Sequence, residues 1–126
     1  MVGTVSEFFD EMEDMGAEPR EVVKRLGGEK ELYLGFLREF THDKCIEKLR
    51  DAISQNDSMA AFEAVHALKG VSLNLGLLPL ADCCSDMVME YRKGNVEQGN
   101  ALFSETERSF RQMCDLINQL ETIKRA

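Results

Sequence analysis

The stretch Asp57-Ser58-Met59-Ala60-Ala61-Phe62-Glu63-Ala64-Val65-His66-Ala67-Leu68-Lys69-Gly70-Val71-Ser72-Leu73-Asn74-Leu75-Gly76 decides the fold. Phe62, Val65, Leu68, Ser72 and Leu75 recur at steps of three and four, the spacing of one helix face turned to a core. Asn56 or Asp57 supplies the cap that begins such a helix, and Gly76 the residue that stops it. His66, Lys69, Gly70 and Leu73 form a second stripe, about a third of a turn round from the first. That places His66 at the edge of the helix packing with its ring at least partly in solvent, because lysine one turn on is almost never fully buried. A histidine on a helix surface is ordinarily just a surface residue. A glycine four residues after it is less ordinary, since mid-helix glycine is destabilising; close approach of another molecule would require it.

The same periodicity extends in both directions. Val5, Phe8, Phe9 and Met12 mark a helix over about 4–15, and Pro19 suits the first turn of a short one ending at the Gly27-Gly28 pair. Leu32, Phe36, Leu37 and Phe40 are followed by Cys45, Ile46, Leu49, Ala52 and Ile53, read as one long bent helix or two nearly continuous ones. Gly35 within it costs about 1 kcal/mol relative to alanine and marks a close packing contact or nothing. Pro79 opens a helix through Leu80, Cys83, Cys84, Met87, Val88 and Tyr91, and Gly94-Asn95 turns the chain. A last helix over about 96–123 uses Leu102, Phe103, Thr106, Phe110, Met113, Leu116, Ile117 and Leu120. Nothing alternates as a strand would. Short connections make successive helices antiparallel, so the expectation is an all-α, up-down-up-down four-helix bundle with short N-terminal helices, residues 1–126 forming one domain.

The chain has 126 residues, 44% hydrophobic and 30% charged, enough to bury a core. A net charge of −8 argues against nucleic acid, which needs clustered lysine and arginine. No apolar run reaches membrane-spanning length and the N-terminus does not read as a signal peptide, so a cytoplasmic protein away from membranes is expected. Cys45, Cys83, Cys84 and Cys114 show no CxxC pair or zinc pattern and read as small buried residues. His42 and Cys45 have helical i, i+3 spacing, but no clear further ligands accompany them.

The His66 stripe fits phosphoryl transfer. A neutral imidazole is a nucleophile at neutral pH without a separate base. Lys69 would stabilise phosphoryl oxygens, and positioning and charge carry most of such a transfer. No GxxxxGK[ST] loop or glycine-rich nucleotide fingerprint is present, and no carboxylate cluster for magnesium is evident. The chain reads as able to carry a phosphoryl group but not to take one from ATP.

His66-Ala67-Leu68-Lys69-Gly70 followed by Asn74-Leu75-Gly76 resembles the histidine-containing phosphotransfer (HPt) domain of two-component phosphorelays. Val23-Lys24-Arg25-Leu26-Gly27-Gly28-Glu29-Lys30-Glu31-Leu32-Tyr33 and Phe36-Leu37-Arg38-Glu39-Phe40 resemble that family's upstream segments, so the likeness spans about 18–120. The resemblance implies a four-helix bundle, His66 as phosphoacceptor, Lys69 as phosphoryl-stabilising cation and Gly70 as the steric gap. It implies response-regulator receiver domains as partners, with a hybrid histidine kinase as another, and magnesium on the receiver. No cofactor or metal of the chain's own is expected. Val71 stands where a small Ser or Ala is common, Leu77 where the family often has Ala, and Cys83-Cys84-Ser85-Asp86 where a Leu-Glu pair is usual; these departures bear on partner identity more than on chemistry.

Exposed apolar Leu73, with Phe62 at the border of the core, reads as a contact for a receiver's apolar face. The expectation is a monomeric, freestanding phosphocarrier, a piece of a hybrid kinase being the other source of such a chain. Two competing readings are a helical adaptor that binds a receiver without transferring phosphate, and a metal- or redox-responsive bundle using His42 and the cysteines.

Overall fold

The computed structural model describes residues 2–123, and the turn and cap residues account for where each helix begins and ends. Thr4 accepts a hydrogen bond from the Glu7 amide and starts α1, Val5–Asp14. α2, Pro19–Arg25, begins on its proline and is tied back to α1 by Arg20, whose guanidinium meets Asp10 at 3.0 Å and Glu13 at 2.6 Å and lies over the Phe9 ring.

The long bent segment is two helices, α3 (Lys30–Phe40) and α4 (Cys45–Ser54). Asp43 makes the break: its carboxylate accepts from the Cys45 amide at 2.7 Å, offering that amide a partner outside the helical ladder. His42 therefore sits in the turn, and its i, i+3 relation to Cys45 is not that of two residues on one helix. A Cβ built on Gly35 meets no atom within 4 Å, so no close packing contact explains that glycine.

Asp57 caps α5, Ser58–Asn74, by accepting from the Ala60 amide. Gly76 ends the turn that follows with φ +71°, and a Cβ there would lie 2.8 Å from Val22 Cγ2 and 2.9 Å from the Glu18 carbonyl oxygen. Glu18 donates its amide to the Gly76 carbonyl at 2.9 Å, so this turn is where the N-terminal helices dock onto the end of α5. α6 runs Leu78–Arg92 with its proline in the first turn.

The last predicted helix is divided into α7 (Val96–Ala101), α8 (Phe103–Asn118) and a final 3-10 turn, Gln119–Thr122. Leu102 donates to Gly99 three residues back, a tightened bond that interrupts the α ladder. Gly99 is pressed on the Tyr91 ring, where a Cβ would come within 2.6 Å of Cε1, and Tyr91 donates to Asn100 Oδ1 at 2.5 Å.

The loops 55–57, 75–77 and 93–95 are short, and α5 packs against α4 on one side and α6 on the other. α8 closes the ring against α3, α4 and α6, giving the antiparallel four-helix arrangement, with α1 and α2 at one end. Arg50 of α4 forms an ion pair with Glu107 of α8. Met12, Leu37, Leu49, Leu68, Leu80, Met87, Met113 and Ile117 are among the fully buried side chains of one continuous core. All described residues lie in helices, turns or irregular segments, with no strand among them.

A candidate phosphoryl-transfer site on α5

α5 has two unlike faces. Ala61, Ala64, Val65, Leu68 and Ser72 are buried. Ser72 stays satisfied there by donating to the Leu68 carbonyl at 2.7 Å. Phe62, expected in the apolar row, is only half-buried. At 3.6 residues per turn it lies about 120° round from Leu68, outside that arc, whereas Ala61 and Ala64 fall within it. Those two alanines went unread as core because a small side chain carries little hydrophobic signal.

His66, Gly70 and Leu73 are exposed on the outer face, and Lys69 is half-buried beside them toward α6. Lys69 has no carboxylate within ion-pair distance among the described residues. Its charge reaches Cys84 of α6, opposing the rise that burial imposes on that thiol. A Cβ built on Gly70 meets nothing within 4 Å, so the space beside His66 is open. Leu73 is 44% exposed, an apolar side chain left open on the same face.

Sequence reasoning missed one feature. The Phe62 ring stacks on the His66 imidazole, centroids 5.7 Å apart and planes within 19°. Arg92, at the end of α6, places its guanidinium carbon 5.8 Å from the centroid of the same Phe62 ring. The i, i+4 spacing of Phe62 and His66 was visible in the sequence; the arrival of Arg92 from another helix was not.

A groove of about 420 Å³ between α4 and α5 is lined on the α5 side by Ala60, Glu63, Ala64 and Ala67, and His66 is not part of its lining. An exposed, open site suits a reaction with another protein's surface better than enclosure of a small substrate.

The cysteines are all free. Burial pushes the thiols of Cys45 and Cys114 up to about 11 and that of Cys84 to about 12. Raised values keep them protonated, the reverse of what a reactive thiol needs. Among the described residues no three His, Cys, Asp or Glu side chains are grouped to hold a metal ion. No helix among them is long and apolar enough to cross a membrane.

An antiparallel helical bundle with an open histidine, a cation and a glycine along one helix face defines a class of phosphoryl-carrying domains. The chain matches the Hpt domain family over residues 33–125 and belongs to it. Its fold is similar to the crystal structure of histidine-containing phosphotransfer protein B (HptB) from Pseudomonas aeruginosa PAO1, with a TM-score of 0.76 and 25% identity, over 86% of this chain and 96% of that one. No curated protein matches the chain. Family membership supports a histidine phosphotransfer role in phosphorelays; proteins of this family are phosphocarriers rather than kinases and interact with receiver domains and histidine kinases.

Proposed function

We propose that His66 is the phosphoacceptor and that the chain relays a phosphoryl group to or from the aspartate of a response-regulator receiver domain. The observation that carries this reading is the exposed His66 on α5, one turn from Lys69, which lacks a carboxylate partner among the described residues, and from Gly70, with open space where a side chain would stand. In the forward step a ring nitrogen lone pair forms an N–P bond as the P–O bond to the receiver's aspartate breaks. The electron pair returns to that carboxylate, and the ring N–H proton goes to solvent. The reverse step restores the aspartyl phosphate. Lys69 neutralises phosphoryl oxygens during transfer, and Gly70 lets the receiver surface come close. Magnesium belongs to the receiver's acidic site, and ATP is not consumed by this chain.

Phe62 and Leu73 supply apolar contact around the histidine for the receiver's face. The test is incubation with a phosphorylated receiver domain and detection of acid-labile, base-stable phosphate on this chain. Label on His66 supports the reading. Binding of the receiver without label would instead identify an adaptor.

A further inference from the structure

The Phe62–His66 stack and the cation over Phe62 use residues that the transfer chemistry does not itself require. Phe62 is one turn before His66 on the same helix, so the stack is built into α5. Near-parallel ring contact restricts the plane of the imidazole, and with it the plane in which the ring nitrogens lie. An exposed histidine on a bare helix would turn freely about its side-chain bonds. Phe62 is held in turn by Arg92, and no carboxylate lies within ion-pair distance of that guanidinium among the described residues. A cation against an aromatic face is an attraction in its own right. Because Arg92 ends α6, it joins a neighbouring helix of the bundle to the ring behind His66.

We infer that Phe62 and Arg92 are positioning residues for the phosphoacceptor: Phe62 sets the imidazole plane and Arg92 holds Phe62 in place. The inference rests on His66 being the phosphorylated residue. It also separates two roles for Phe62, since a docking contact matters only when a receiver is present, whereas an orienting contact matters for any phosphodonor.

Phosphoramidate is the probe that separates them, because it brings no protein surface. A His66 nitrogen forms the N–P bond as the P–N bond of phosphoramidate breaks; the leaving nitrogen departs as ammonia with a proton, and the imidazole releases its ring N–H proton. Labelling of the full chain is followed for wild type, Phe62→Leu and Arg92→Gln. Loss of orientation is expected to slow Phe62→Leu about tenfold. Arg92→Gln is expected to slow labelling about threefold, the scale of one exposed cation–π contact. Phe62→Tyr and Arg92→Lys keep the ring and the charge, and stay near the wild-type rate. In proton NMR, the His66 ring signals of Phe62→Leu lose the upfield displacement that stacking on a phenyl face produces. Wild-type labelling rates in Phe62→Leu, or unmoved His66 ring signals, would overturn the positioning role alone. Absence of label on the wild-type chain would overturn the phosphocarrier reading, and this inference with it.

Discussion

The hydroxyl of Tyr33 donates a 2.8 Å hydrogen bond to the backbone carbonyl of Leu75, joining α3 to the C-terminal end of α5. The last carbonyls of a helix lack intrahelical partners, and this one is buried with its donor. Tyr33→Phe keeps the ring and removes the donor. It is expected to lower stability by about 1–2 kcal/mol, read by denaturant unfolding, because a buried acceptor is left unpaired. Unchanged stability would show that solvent reaches the Leu75 carbonyl once the hydroxyl is gone.

His66→Gln is expected to abolish labelling from a phosphorylated receiver while the helical circular dichroism spectrum stays as in wild type, since His66 is exposed and its removal opens no cavity. His42, in the α3–α4 turn, should carry no label. Phosphate surviving on His66→Gln would move the site elsewhere.

Lys69→Ala should slow transfer and shorten the phosphohistidine lifetime by about fivefold, the equivalent of about 1 kcal/mol for a partly solvated cation beside a phosphoryl group. The melting temperature should hardly move, as no ion pair is lost. Kinetics and lifetime equal to wild type would remove Lys69 from the chemistry.

Leu73→Asp and Gly70→Gln should weaken receiver binding and leave stability nearly unchanged. Leu73 is 44% exposed and Gly70 has open space beyond it, so neither substitution buries a charge or creates a clash. Titration with a receiver and a thermal melt of the same samples make the check. Normal affinity in both variants would place the docking surface off this stripe.

Thiol burial predicts an alkaline loss of stability. Cys84 rises from 9.0 to about 12, first by burial and then by neighbouring Cys83 and Cys45, so the folded state holds its proton where the unfolded chain has released it. The contribution is therefore full below pH 9 and declines as pH climbs from 9 toward 12. Cys84→Ala should give a shallower fall in unfolding free energy between pH 8 and pH 10.5, measured against wild type. Equal slopes would mean that the thiol titrates alike in both states.

The helices and their order were legible because each core-facing row repeats at helical spacing and each boundary carries its own chemistry: Asp57 as cap, Gly76 as stop, Pro19 and Pro79 as openings. His66, Lys69, Gly70 and Leu73 were legible as one stripe for the same reason, since residues three and four apart on a helix are neighbours whatever surrounds them. The break at Asp43 and the division at Leu102 were not, because each depends on a competing hydrogen bond or a tightened turn that periodicity does not encode. Nor could the sequence place Arg92 over Phe62 or Tyr33 under Leu75, pairs 30 and 42 residues apart. Local spacing along one helix is fixed by backbone geometry, and the sequence alone determined it. Which side chains meet from different helices is fixed by how the faces pack and rotate against one another, and only the tertiary structure decided that.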